Sequence, residues 1–426
     1  MKILIYITLL LFSIKVKAKT TDEVIYDDIK ISGRLSASAQ EIYSKSSYIT
    51  FYNTYNEEYP AAKEIIPINI NNGEFHLTIK PDNSYCYFAL GNGRIRSITD
   101  DVFLIEEGDS VFMEVKDRDD ISFFGKGAER MNFQHWAGEM IWKDNSLPDT
   151  SSSVLEIFGF YKTRQTKLSY SLLDSLQRIQ NPEMDDITRK LLRLNVVSAI
   201  NKQYMNYIEG GVRYTDSFYI KYLESELENI DAQAEMYAVT DSILLKNSFK
   251  YLQYIMELNK AIVRVNNKSS FVSVEDLYIQ IKNKYYGLLR DKLIPLCFLR
   301  LLKKDPEAVE LLPQALDIVT DSTSKSILQH VRDAQTPGAK AYNFSLETLE
   351  RKRLKLKDLR GKIIILETYY EGCFFCRKLS IAMEPIAKYF SKRNDVIFIS
   401  FDGVAKDFTS FKRGADSGKY GNKQTV

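Results

Sequence analysis

Ile363-Ile364-Ile365-Leu366-Glu367-Thr368-Tyr369-Tyr370-Glu371-Gly372-Cys373-Phe374-Phe375-Cys376 is the stretch on which the fold turns. A continuous Ile/Leu run that ends in β-formers reads as a strand over 362–370, buried on both faces as in the middle of a parallel sheet. Beyond Gly372 the period changes. Leu379, Met383, Ile386, Ala387 and Phe390 repeat at helical spacing, with Arg377, Lys378, Lys388 and Lys392 on the wet side, so a helix is predicted over 373–392. Cys373 then sits at the helix N-terminus, where free N–H groups and the helix dipole stabilise a thiolate. Cys376 lies one turn later on the same face, a geometry that permits a reversible disulfide. Arg377 and Lys378 either lower the thiol pKa further or point into solvent.

The flanking segments extend the pattern. Ala341-Tyr342-Asn343-Phe344-Ser345-Leu346 reads as a first strand, Leu356-Lys357-Asp358-Leu359-Arg360-Gly361-Lys362 as the lead into the central one, and Val396-Ile397-Phe398-Ile399-Ser400-Phe401-Asp402 as the next. Strand, C-x-x-C, helix and strand in this order form a βαβ unit with a redox motif. Residues 341–426 thereby resemble the TlpA/ResA-like thiol-disulfide oxidoreductases of the thioredoxin superfamily. The resemblance implies that Cys373 attacks a substrate disulfide and Cys376 resolves the mixed disulfide. Glu367, six residues before Cys373, stands where such proteins often keep a buried acid. There it would take the proton of the resolving thiol, because burial raises a carboxylate's pKa; the other reading is a strand-end Glu paired with a lysine. The resemblance further implies a reductant, for example in cytochrome c maturation. Its partners would be protein thiols or disulfides and an upstream membrane thiol reductant, with no cofactor beyond the redox-active Cys373–Cys376 pair.

Several residues depart from that pattern. Gly372 replaces the usual tryptophan, Leu379 stands where ResA-like members carry an acid, and Phe374-Phe375 replaces a polar or proline-containing middle. No proline follows Pro385, whereas the family places a cis-proline opposite the disulfide after the strand ending here at Asp402. The resemblance thus implies a partial, truncated domain that leaves Ile363–Leu366 as an open apolar edge. Loss of catalysis would follow. The alternative function is a non-catalytic envelope protein that binds or scaffolds a partner and carries a degenerate redox domain.

At the N-terminus, Lys2, the apolar run Ile3–Phe12 and Val16-Lys17-Ala18 predict a signal peptide over 1–18, cleaved after Ala18, and hence a periplasmic or envelope location. An uncleaved interfacial anchor is the alternative. The run is too short to span a bilayer, no cysteine lies near Ala18 for a lipobox, and no other stretch has transmembrane length. The 426 residues predict about three domains. With 58 basic and 56 acidic residues there is no electrostatic case for nucleic acid. Four cysteines suit a sparse-thiol exported protein rather than a disulfide-stapled one.

The fold expected is multidomain α+β. Residues 24–128 read as an antiparallel β-sandwich: Ile29/Ile31, Ile49/Phe51, Ile68/Ile70, Phe75/Leu77/Ile79, Cys86/Phe88/Leu90 and Val111/Met113/Val115 alternate between turn signals such as Asn71-Asn72-Gly73. Ile31-Ser32-Gly33, Asn72-Gly73-Glu74-Phe75, Glu107-Gly108-Asp109-Ser110 and Phe124-Gly125-Lys126-Gly127 resemble a β-domain often fused ahead of TlpA-like domains in Gram-negative bacteria. Residues 129–335 switch to helical period. Capping signals stand at Asn181-Pro182-Glu183, Ser273-x-x-Asp276 and Asp305-Pro306-Glu307, and long amphipathic stretches run over Met236–Val265 and Asp276–Leu302. Residues 336–340 are the linker into the partial thioredoxin-like α/β domain, 341–426. The abundant Tyr and Leu of the helical region read as core rather than a groove.

Outside the motif the reactive residues read as structural. His76 alternates outward with Glu74 and Thr78, while His135 and His330 have no second ligand at metal spacing. Cys86 and Cys297 lie among apolar residues as buried thiols. No ligand pair beside Cys373/Cys376 makes a zinc site, and Arg377 stands where covalent haem requires histidine.

Overall fold

The computed structural model describes residues 26–420 other than 44–47, 53–62, 69, 91–96, 98–101, 118–119, 144–152, 180–183, 211–216, 237–238, 303–304, 336–337, 339–340, 342–343 and 403–407. The signal-peptide stretch 1–18, the Asn181-Pro182-Glu183 cap, most of the linker 336–340 and residues 421–426 of the tail lie outside the described residues.

Eight described strands precede the helices: β1 (Ile29–Leu35), β2 (Tyr48–Tyr52), β3 (Lys63–Pro67), β4 (Glu74–Ile79), β5 (Tyr85–Leu90), β6 (Phe103–Glu106), β7 (Ser110–Val115) and β8 (Ile121–Lys126). They form two four-stranded sheets, ordered β4-β1-β7-β8 and β3-β2-β5-β6. Ile29, Ile31, Phe75 and Met113 of the first sheet share one buried cluster with Ile49, Phe51, Cys86 and Phe88 of the second, as their period-two spacing requires. Asn72 and Gly73, with φ of 52° and 82°, make the tight turn signalled by Asn-Gly, and Asn71 and Glu74 exchange N–H···O bonds of 2.9 Å across it.

Three features of this region depart from expectation. The sheets are not wholly antiparallel, because β1 runs parallel to β7 from Lys30↔Ser110 to Leu35↔Val115. The two strands are far apart in sequence, so no hairpin dictates their direction. A short helix, α1 (Ala37–Tyr43), follows β1, with Ser36 Oγ accepting the Ala39 N–H at 3.1 Å. Ile68 and Ile70 lie beyond β3, whose ladder ends at Pro67, a residue without an N–H to donate.

The helical region comprises α2 (Ala128–Lys143), α3 (Val154–Arg178), α4 (Asp186–Gly210), α5 (Ser217–Met236), α6 (Ser242–Asn247), α7 (Phe249–Asn266), α8 (Val274–Lys284), α9 (Gly287–Leu301), α10 (Leu312–Ile318) and α11 (Ser322–Gln335). Tyr204, Tyr251, Tyr254, Tyr278 and many leucines form its core. Tyr87, Ala89 and Leu104, on the opposite faces of β5 and β6 from Phe88 and Phe103, belong to the same cluster, as does Val102 just before β6, so sheet and helices share one apolar layer. α2 seals the junction with two amide side chains. Gln134 accepts from Leu104 N (2.8 Å) and donates to Leu104 O (3.0 Å), and Asn132 does the same for Phe123 at 2.9 Å each way.

Each long amphipathic stretch is divided. Ser248 separates α6 from α7, and extended Tyr285-Tyr286 followed by Gly287 (φ 59°) separates α8 from α9. Ser273 caps α8 as expected, its Oγ accepting the Asp276 N–H at 3.0 Å and donating to the Asp276 carboxylate at 2.7 Å. Asp305 does not cap its own element, a 3₁₀ turn over Pro306–Leu311. Its carboxylate takes the Val274 N–H at 2.9 Å, which is another free donor at the start of α8.

The last region contains the hairpin β9 (Ser345–Glu347) and β10 (Arg353–Lys355), then β11 (Ile363–Tyr369), α12 (Phe374–Phe390), β12 (Val396–Asp402) and α13 (Phe408–Asp416). β11 and β12 pair in parallel from Ile363↔Val396 to Tyr369↔Asp402. The expectation that β11 is buried on both faces does not hold: Ile363 is 57% and Leu366 45% exposed. Among the described strands β11 pairs with β12 alone. Two strands are narrower than the apolar stripe of α12. Ser380 and Ala387 are buried, while Leu379 and Ile386, expected on the inner face, are largely exposed.

Candidate functional site

The parallel ladder carries the chain to Tyr369, which is buried, and a turn then redirects it into α12. Cys373 N–H donates to Tyr370 O at 3.1 Å, and Gly372 takes a φ of 91°, where a side chain would be strained. This turn makes Cys373 the N-cap of α12. Its Sγ accepts the Cys376 N–H at 3.0 Å, and its carbonyl accepts the Arg377 N–H at 3.2 Å. Cys373 and Cys376 are joined in a disulfide with their Cα atoms 5.3 Å apart. The amide that now meets Cys373 Sγ and the helix dipole would both favour a thiolate there once the bond is reduced.

Exposure is distributed unequally over the motif. Cys373 is only 6% exposed, Cys376 is half-buried, and Phe374 and Phe375 project at 62% and 78%. Lys378 is exposed, and its Nζ lies 4.6 Å from the Phe374 ring centroid, so this lysine is committed to a ring face. Glu367 is half-buried on β11 rather than sealed beneath the disulfide. Its carboxylate accepts a short hydrogen bond from Ser400 Oγ, its register partner on β12, so its described partner is a hydroxyl and not a lysine.

A second layer around the motif gave no signal in the sequence. Arg413 on α13 holds Glu371 through three hydrogen bonds of 2.6–3.0 Å, which keep that carboxyl below the usual range. Tyr420 Oη accepts the Gly372 N–H at 2.7 Å, and its ring stacks on Tyr369 with centroids 5.1 Å apart. These partners lie 42 and 48 residues apart in sequence, too far for any local pattern to pair them.

The other two thiols lie in the core. Cys86 is fully buried and burial pushes it up to about 12, while Cys297, equally buried, is also pushed up. His76 and His330 are exposed, and His135 is nearly buried in α2. Among the described residues no three His, Cys, Asp or Glu side chains are grouped to hold a metal ion, and no helix is long and apolar enough to cross a membrane.

Comparison with known proteins bears on the same region. Residues 337–417 match the AhpC/TSA family. The thioredoxin-like protein YneN of Bacillus subtilis is 30% identical over 80 residues, which are 19% of this chain and 47% of that protein, so the chain spans about half the length of this relative. A crystal structure of a thioredoxin-like protein from Bacteroides caccae aligns over 53% of this chain and 76% of its own at 16% identity, with a TM-score of 0.23. The sequence match encloses β11, both cysteines, α12 and β12, and on that match the C-terminal region of this chain is thioredoxin-like.

Proposed function

We propose that the chain is an extracytoplasmic thiol-disulfide oxidoreductase of TlpA/ResA-like type that reduces protein disulfides through Cys373 and Cys376. The observation that carries this reading is the disulfide seated at the N-terminus of α12, directly after β11. In the reduced protein the Cys373 thiolate attacks one sulfur of a substrate disulfide, and the other substrate sulfur leaves as a thiolate and takes up a proton. Cys376 loses its proton, for which Glu367 is the proposed acceptor, and attacks Cys373 Sγ. The second substrate cysteine is released, and two electrons have passed to the substrate. The oxidised protein is then re-reduced by a dithiol, for which a membrane thiol reductant is the proposed donor. The stretch 1–18 is proposed as the cleaved signal peptide that brings the chain to the periplasm or envelope. Ahead of the redox region we read residues 24–128 as a β-sandwich domain and 129–335 as a helical domain.

Cys373→Ser tests the assignment in a single-turnover reduction of a disulfide-bonded peptide. Loss of about a hundredfold or more is expected, since the attacking atom is removed, and Cys376→Ser should accumulate a mixed disulfide. Full turnover by Cys373→Ser would eliminate this mechanism. The second reading, an envelope binding or scaffold protein with an inactive redox region, draws on the burial of Cys373 and the exposure of Ile363, Leu366 and Phe375. It requires partner capture to survive Cys373→Ser intact.

A further inference from the structure

Residues 413–420 are fastened to the lead-in of Cys373 at two points. Arg413 grips Glu371, and Tyr420 Oη takes the N–H of Gly372, the last backbone donor before the proposed nucleophile. The Tyr420 ring also lies flat on Tyr369, with an interplanar angle of 4°. Cys373 itself is 6% exposed. Attack on an external disulfide needs Cys373 Sγ in line with the bond being broken, so the buried residue must first be uncovered. The fastenings suit release. Arg413 and Glu371 are 61% and 46% exposed, which leaves their pairing weak and open to screening by salt. The Tyr420–Gly372 bond is a single neutral one.

We propose that residues 413–420 form a self-inhibitory strap in which Tyr420 Oη holds the place of a backbone carbonyl of an extended substrate segment at Gly372 N–H. The strap must leave before Cys373 can engage that segment. This inference rests on the reading of Cys373 as the nucleophile. It identifies the substrate as a polypeptide that docks by its main chain beside its reacting cysteine.

The test compares wild type, Tyr420→Phe, Arg413→Gln and the double variant. The readouts are the alkylation rate of Cys373 by iodoacetamide in the reduced protein, located by mass spectrometry, and the rate of mixed-disulfide formation with an extended disulfide-bearing peptide in a Cys376→Ser background. Tyr420→Phe keeps the ring and removes only the acceptor, so folding is preserved. It should raise both rates about fivefold, the equilibrium weight of one neutral hydrogen bond, and the double variant should raise them further. Added salt should accelerate wild type but not Arg413→Gln. Unchanged alkylation in Tyr420→Phe and in the double variant overturns the strap, whatever Cys373→Ser does to turnover. Faster alkylation together with full turnover by Cys373→Ser keeps the strap as a cover over Cys373 and removes only its catalytic meaning.

Discussion

Replacing Arg130 by Met tests how the sheets are tied to the helices. Arg130 lies on α2 with its side chain 3% exposed, bonded through Nη2 to Asp109 and with Nε 3.5 Å from Glu106 Oε1, an ion-pair contact. Those carboxylates are 2% and 16% exposed in the β6–β7 turn. Glu106 also accepts the Thr188 hydroxyl of α4. One guanidinium therefore serves a buried and a half-buried acid at the meeting point of β6, β7, α2 and α4. At 3.5 Å and an effective dielectric of about 20 the attraction to Glu106 is about 5 kcal/mol gross, most of it offset by desolvation. Met retains much of the side-chain volume, so the change mainly strands two charges and should cost about 3–5 kcal/mol near neutral pH. The sign of the pH dependence follows from the direction of the shifts. Burial already raises both Glu106 and Asp109 despite Arg130, so the folded state binds more protons than the unfolded one between the ordinary and the raised pKa. Stability from these groups is therefore lost as pH rises through that window, and removing Arg130 extends the window upward. In urea melts followed by circular dichroism, the deficit of Arg130→Met should be largest at about pH 7.5 and at most about half as large at about pH 5. A deficit that is equal at the two pH values, or below about 1 kcal/mol at the higher one, would refute the reasoning.

Two further changes probe the same framework. Gln134→Leu leaves the buried Leu104 N–H and C=O without partners and should destabilise by about 2–4 kcal/mol in urea unfolding; a loss under about 1 kcal/mol would mean that the amide bridge contributes little. In the folded, reduced chain a maleimide should modify Cys373 and Cys376 while sparing Cys86 and Cys297, because burial keeps both of the latter thiols protonated. All four should react in urea, and native-state labelling of Cys86 at the rate seen in urea would contradict its placement in the core.

What the sequence discloses here is local. The Ile363–Leu366 run, the cysteine spacing and the helical period of Met383, Ala387 and Phe390 are each contained within one element, and the βαβ unit follows from them. β5 and β6 read less clearly for a physical reason. Tyr87, Ala89 and Leu104 face the helices while Cys86, Phe88 and Phe103 face the other sheet, so both faces are apolar and the alternation is blurred. The parallel pairing of β1 with β7 and the bonds of Gln134 to Leu104 join distant residues, and no local pattern encodes either. Exposure of Ile363 and Leu366 depends on how many strands lie beside β11, which the strand's own residues do not specify; the expectation of an open apolar edge there comes from the family resemblance, and the expectation of burial on both faces from the residues alone.

The same division runs through the site, and it separates two quantities that a C-x-x-C motif tends to merge. Thiolate stability at Cys373 is set by elements adjacent in sequence: the N-cap position, the dipole of α12 and the Cys376 N–H. Those are legible in the motif itself. In the proposed strap, access to Cys373 is governed by residues brought from far along the chain, Arg413 and Tyr420, which bond Glu371 and Gly372. A thiol with low pKa and no access is inert, and one with access but no stabilisation is slow, so reactivity depends on both terms. The strap variants are designed to change access alone. Arg413→Gln and Tyr420→Phe leave the N-cap and the helix intact, so a change in alkylation rate with an unchanged pH midpoint would assign the effect to access. A shifted midpoint would assign it to the turn at Gly372, which orients Cys373 toward the helix end.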